Sequence, residues 1–179
     1  MKSKVSAIEK AYDYLSRRAH TEYEIRLKLR KKEYAEDEID GAVAQLLLDG
    51  YIDDRDFAER YLRVLIEKGR GKRRIKDEMR RKGIAEELAV ATIEACMSEE
   101  DERANALRYA EKILEKMDCH ASLAMTEVDG GTGGSGAGMT EGGGMTNEVK
   151  RKVNSKMVEQ GYPYDTINWT LRELEGRIF

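Results

Sequence analysis

The chain repeats itself, and this constrains its fold more than any other feature. Shifting the first fifty residues by 50 sets Leu15 on Leu65, Ile25 on Ile75, Leu29 on Met79, Tyr34 on Ile84, Val43 on Ile93 and Leu47 on Met97. Charge follows the same shift, with Arg30-Lys31-Lys32 landing on Arg80-Arg81-Lys82. A further shift of 78 carries Ile75, Met79, Ile84 and Ile93 onto Val153, Met157, Tyr162 and Leu171. The helix-ending string Lys82-Gly83-Ile84 recurs there as Gln160-Gly161-Tyr162. Repeats of this kind are single supersecondary units that bury their apolar faces on one another.

The period inside each unit is helical. Ile8, Ala11, Tyr12 and Leu15 stand at i, i+3, i+4 and i+7, Ile25 and Leu29 give a short stripe, and Ile39, Val43, Leu46 and Leu47 another. Thr21 with Glu24, and Ser98 with Asp101, have the spacing of reciprocal capping boxes. Gly50-Tyr51-Ile52-Asp53-Asp54 reads as a turn in which Asp53 or Asp54 caps the next helix. Gly83 and Gly161 suit a left-handed helix-closing residue, and Glu33 holds the equivalent place in the first unit. The fold expected is all-α, with tandem three-helix, helix-turn-helix-like repeats forming an elongated, curved molecule without a sheet. The repeats are placed at 1–52, 53–98 and 99–179, giving nine helices. The first helix of the third is expected over Glu102 to Met117, and a glycine-rich flexible linker over 129–145.

Composition agrees with slender helices. Charged residues make up 37% of the chain and aromatics 7%, a mix that favours narrow apolar stripes beside wide polar faces. No run of apolar residues approaches the length of a membrane span, and the start of the chain lacks an apolar signal region. Cys96 and Cys119 match neither a disulfide framework nor a metal site. A soluble, cytoplasmic protein is expected.

Catalytic chemistry finds little to stand on. His20 and His120 lie in no metal-ligand or hydrolase motif. The paired acids Asp37-Glu38 and Asp53-Asp54 sit at helix starts, where a carboxylate meets the positive end of the dipole. The run from Gly130 to Gly136 lacks the Lys of a phosphate-binding loop. No enzyme activity, metal or cofactor is expected.

The basic residues are distributed unevenly in a chain of net charge −3. Eleven Lys and Arg against three acids fall between Arg60 and Lys82. With Ile75 and Met79 inward, Arg73, Lys76, Arg80 and Arg81 point outward. Arg70, Lys72, Arg74 and Lys82 extend this segment into a candidate phosphate-binding or acidic-surface footprint. Smaller basic groups lie at Arg26, Arg30 and Lys31, and at Lys150 and Arg151. The competing reading is a solvated ion-pair ladder through Arg73, Asp77 and Arg81.

These residues also carry a family resemblance. Tyr14-Leu15-Ser16-Arg17-Arg18-Ala19-His20-Thr21-Glu22-Tyr23-Glu24-Ile25, then Gly50-Tyr51-Ile52-Asp53-Asp54 with Phe57-Ala58-Glu59-Arg60-Tyr61, resemble landmarks of the RecX family. Gly69-Arg70-Gly71, Arg74-Ile75 and Arg80-Arg81-Lys82-Gly83-Ile84 resemble a third, and Gly161-Tyr162-Pro163-Tyr164-Asp165-Thr166-Ile167 the last repeat. Glu33 where Gly is usual, Lys72 where Pro is common, and the glycine insertion depart from the pattern. The resemblance implies a cytoplasmic, monomeric regulator in DNA recombination, repair and the SOS response. It would bind the groove of the RecA recombinase filament on DNA and suppress ATP hydrolysis, strand exchange and coprotease activity. The alternative is a protein that binds single- or double-stranded DNA directly through its helix-turn-helix-like units.

Overall fold

The computed structural model describes residues 5–124 and 145–177. Among these residues it contains nine helices and no strand. They are α1 (Ala7–Leu15), α2 (Glu22–Arg30), α3 (Glu36–Leu48), α4 (Asp54–Glu67), α5 (Lys72–Arg81), α6 (Glu86–Cys96), α7 (Glu99–Ala124), α8 (Asn147–Glu159) and α9 (Tyr164–Arg177). The contacts divide them into two compact units. The first comprises the chain up to Val64 together with Lys76–Cys96, and the second Leu65–Ile75 together with the chain from Met97 onward. Helices α4 and α5 therefore contribute residues to both.

In the first unit α1, α2 and α3 pack on one another. The stripe Ile25 and Leu29 meets Ile39, Val43 and Leu46, all fully buried, with Ala7, Ala11 and Ile52 closing the core. Full burial of each Leu or Ile stabilises the fold by roughly 1.5–3 kcal/mol. Tyr34 buries its ring here and donates its hydroxyl hydrogen to the Val5 carbonyl at 2.7 Å. In the second unit α7, α8 and α9 pack mutually around Ala106, Ala110, Val153, Met157, Tyr162 and Ile167. Ile75 and Met79, the equivalents of Ile25 and Leu29 in the self-alignment, are also fully buried.

The helix ends follow their local chemistry. At the close of α2, α5 and α8 the sixth residue returns a bond to the first. Tyr34 N–H donates to the Leu29 carbonyl, Ile84 to Met79 and Tyr162 to Met157, the Schellman pattern. The residue before each is left-handed, with φ of 59° at Glu33, 77° at Gly83 and 82° at Gly161. Ser98 and Asp101 form the expected reciprocal box, at 3.0 and 3.1 Å. The Thr21–Glu24 box is only half made. Thr21 Oγ1 accepts from the Glu24 amide at 3.2 Å, but the Glu24 carboxylate turns to Arg18 and Lys82, both at 2.8 Å. Two cations outcompete a neutral amide for a carboxylate.

One expectation needs correction. Helix α7 runs from Glu99 to Ala124, longer at both ends than Glu102 to Met117. The Ser98 cap sets its start, and no Gly or Pro lies within it to end it near Met117. Of the linker expected over 129–145, Met145 is buried against the α7–α9 core; the rest lies outside the described residues.

Candidate functional site

Three of the four paired acids that might have suggested metal chemistry accept from backbone amides. Asp53 Oδ1 accepts from the Arg55 and Asp56 amides at 2.9 and 3.1 Å, which makes Asp53 the cap of α4. Glu38 accepts from the Ala35 amide at 3.1 Å. Asp54 reaches back to the preceding triplet and accepts from the Glu22 amide at 3.0 Å. Burial, with the nearby carboxylates of Glu22 and Asp53, raises its pKa. Among the described residues no cluster of His, Cys, Asp and Glu is able to hold a metal. His20 is buried, with Nδ1 2.9 Å from the Arg18 carbonyl. Burial chiefly lowers its pKa, so the ring is a neutral part of the core at pH 7. Cys96 is an exposed free thiol, and the side chains of Cys119 and His120 lie outside those described.

The basic residues separate into those that hold the fold together and those that face outward. In the first unit Arg26 bridges Asp40 at 2.5 Å and Glu22 at 2.7 Å, and Arg30 pairs with both oxygens of Glu36 at 2.8 and 3.0 Å. Arg26 is part-buried between its two acids and Arg30 makes its pair at the surface, whereas Lys31 is exposed and has no partner among the described residues. The string Arg80-Arg81-Lys82 divides in the same way. Lys82 points inward to Glu24 at 2.8 Å and lies over the Tyr61 ring. Arg80 is exposed and touches Asp77 at 3.2 Å, a surface pair that holds it weakly. Arg81 is exposed, with no partner among the described residues. Lys76 pairs with Glu86 at 2.7 Å. Asp77 thus joins Arg80 and not the ladder Arg73–Asp77–Arg81.

In the second unit Arg70 binds the Gln160 side-chain oxygen, and Arg74 donates to the Glu159 carbonyl at 3.3 Å. Lys72 donates its amide to Glu102 at 3.2 Å and holds its ammonium 3.5 Å from the same carboxylate. Lys150 is paired with Glu175. Arg73 and Arg151 are exposed and have no partner among the described residues. The outward cations of the sequence candidates are therefore Arg80, Arg81 and Lys31 in one unit, and Arg73 and Arg151 in the other. The sequence reading missed a cavity of about 430 Å³ in the second unit, lined by Lys68, Arg108, Lys112, Lys116 and Lys156. Its signal was available as the i, i+4, i+8 spacing of Arg108, Lys112 and Lys116.

The inward cations belong to a joint that occurs once in each unit. In the first, Thr21 Oγ1 donates to the Lys82 carbonyl at 2.6 Å, Lys82 Nζ donates to Glu24, and Asp54 caps the Glu22 amide. In the second, the Gly71 amide donates to the Gln160 carbonyl at 2.9 Å and the Arg73 amide to the Gly161 carbonyl at 3.3 Å, while Glu102 caps the Lys72 amide. In each joint the start of one triplet's second helix sits on the end of the next triplet's second helix. An acid from the next triplet's first helix then satisfies its first free N–H.

Comparisons with known proteins agree with the tandem three-helix fold. Residues 7–46 match the model of the first three-helix domain of RecX, and residues 53–93 that of the second. The chain is 40% identical over 91 residues to the regulatory protein RecX of Mannheimia succiniciproducens, covering 50% of this chain and 60% of that one. It is 38% identical over 96 residues to the RecX of Vibrio campbellii, covering 54% and 59%. The matched segment thus spans about three fifths of these relatives. The crystal structure of RecX from Lactobacillus salivarius superposes with a TM-score of 0.71 over 94% of both chains, at 22% identity, which shows a shared fold. Residues 7–46 and 53–93 are thus two successive three-helix domains of the RecX family.

Proposed function

We propose that the chain is a non-enzymatic regulator that binds the groove of the RecA–DNA filament and slows the recombinase's ATP hydrolysis, strand exchange and coprotease activity. It would act as a cytoplasmic monomer built of three repeats, at 1–52, 53–98 and 99–179. The relatives named above are regulatory proteins, and the outward cations supply a means of attachment. Arg80 and Arg81 are the observation that carries the reading. Both are exposed at the end of α5, Arg81 lacks an acidic partner among the described residues, and neither is needed by the joint that consumes Lys82. Arginine pairs well with both carboxylates and phosphates, so it suits a surface where acidic protein and nucleic-acid backbone alternate.

Slowing ATP turnover requires that the regulator bind one filament state better than another. A ligand attached to neighbouring recombinase subunits at once opposes the rearrangement between them. The test is competition between recombinase-coated and bare single strands. The proposal predicts preference for the coated strand, and equal or stronger binding to the bare strand contradicts it.

A further inference from the structure

The cavity of the second unit is built on a single helix, α7, that shows two adjoining stripes. Arg108, Lys112 and Lys116 form one, and Tyr109, Ile113 and Met117 the other, each at i, i+4, i+8. Successive members of a stripe are about 6 Å apart along the axis. Lys68, from the segment following α4, and Lys156, from α8, also line it, with Glu67 the single lining carboxylate; Lys156 is paired with Glu159 at 3.3 Å.

Three observations distinguish this wall from an ordinary wet face. Like charges four residues apart on a helix repel, and Lys112 and Lys116 have no ion-pair partner among the described residues. The acid next to Lys112 in sequence, Glu111, is held elsewhere by Arg177 at 3.2 Å. The aromatic wall is fixed in place. Tyr109 packs so closely on Gly69 that a Cβ there would lie 2.5 Å from its ring. Its ring centroid is 6.1 Å from that of Tyr162, whose hydroxyl donates to the Gly69 carbonyl at 3.0 Å. The helix thus keeps a row of repelling cations beside a pre-set aromatic and apolar strip, in a cleft of about 430 Å³.

From this juxtaposition we infer that the cavity binds nucleotide units of a single-stranded nucleic acid, with phosphates on Lys112 and Lys116 and a base against Tyr109. Every base has a π-face, so stacking on a fixed ring tolerates any sequence, while lysines at regular spacing follow the backbone. A free nucleotide shares this chemistry but engages only one end of the row. The site is independent of the filament reading, because it needs no recombinase.

The experiment measures binding of a fluorescein-labelled oligothymidylate by anisotropy, using the whole protein, K112E/K116E, Y109L and R80E/R81E. Lys112 and Lys116 are exposed, and circular dichroism checks that each variant is folded. The inference predicts at least a tenfold weaker affinity for K112E/K116E and a roughly fivefold or greater loss for Y109L. It also predicts a log–log salt dependence shallower by about 1.4 for the double variant. ATP at matched phosphate concentration should displace the strand poorly. Unchanged affinity in K112E/K116E overturns the inference, and displacement by ATP as efficient as by unlabelled strand reassigns the cavity to free nucleotide and overturns it equally. Loss in R80E/R81E with none in K112E/K116E removes the cavity and leaves the filament proposal standing. Strand binding through the cavity without any effect on the recombinase does the reverse.

Discussion

The α-carbon of Gly83 lies so close to Tyr23 that a Cβ on the glycine would stand 2.2 Å from the tyrosine Cβ. The left-handed φ of 77° is thus only part of why glycine occupies this position. Gly161 has the same double role, since its Cβ would stand 2.5 Å from the Arg74 amide nitrogen. Glu33 has the left-handed φ without a preceding described triplet to pack against, and it is exposed. Glycine is demanded where one triplet seats on the next.

Gly83→Ala is therefore expected to cost more than the left-handed backbone alone, which accounts for about 1–2 kcal/mol. Glu33→Gly relieves the backbone strain and should stabilise by up to about 1 kcal/mol, reduced by the entropy that glycine adds to the unfolded chain and by the loss of the glutamate's own interaction. Urea unfolding followed by circular dichroism reads both. Equal and small effects at the two positions would show that Tyr23 does not press on Gly83.

Glu24 makes the first joint sensitive to acid. Burial opposes its ionisation, but hydrogen bonds from Arg18 and Lys82 prevail and bring its pKa from 4.5 to about 2. Because the folded value lies below the unfolded one, the stabilisation is present above about pH 4.5 and fades as pH falls toward 2. Glu24→Gln should lose about 1–3 kcal/mol at pH 7, and the gap from wild type should close on acidification. A gap that stays constant from pH 7 to pH 3 would contradict this.

Asp54 has the opposite sign. Its pKa is raised, first by burial and then by neighbouring acids, so ionisation near neutral pH works against folding while the oxygen still caps the Glu22 amide. Asp54→Asn keeps an acceptor without the charge and should be neutral or stabilising at pH 7. Asp54→Ala leaves the amide bare and should cost about 1 kcal/mol. Thermal unfolding of the pair separates the two effects.

Much of this fold could be read from the chain, because periodicity and capping are local. Ile25, Leu29, Ile75 and Met79 are buried as their spacing requires, and the Ser98–Asp101 box sits where its two residues place it. The basic face was only half legible. A sequence shows that Arg80, Arg81 and Lys82 are positive, but not that Glu24, 58 residues away, pairs with Lys82 and half-buries it. The same holds for Asp54, whose partner amide lies on α2, and for Tyr109, whose neighbour Gly69 comes from another helix end. Self-alignment marks equivalent positions and does not reveal which of them meet.

The outward cations carry the proposed regulation, so removing them should spare the fold. R80E/R81E is expected to unfold within about 0.5 kcal/mol of wild type, as exposed substitutions do, while its affinity for recombinase-coated DNA falls at least tenfold. Lys82→Met should do the converse, loosening the joint and lowering stability with little direct effect on attachment. Paired unfolding and binding curves for the two variants check this division, and a large stability loss in R80E/R81E would contradict it.

The most direct measurement is the DNA-dependent ATPase rate of the recombinase, titrated with this protein and with R80E/R81E. The account predicts a rate that falls with added wild type at substoichiometric ratios to recombinase, and a titration shifted at least tenfold for the variant. An ATPase rate unchanged when the filament is saturated with bound protein would contradict it.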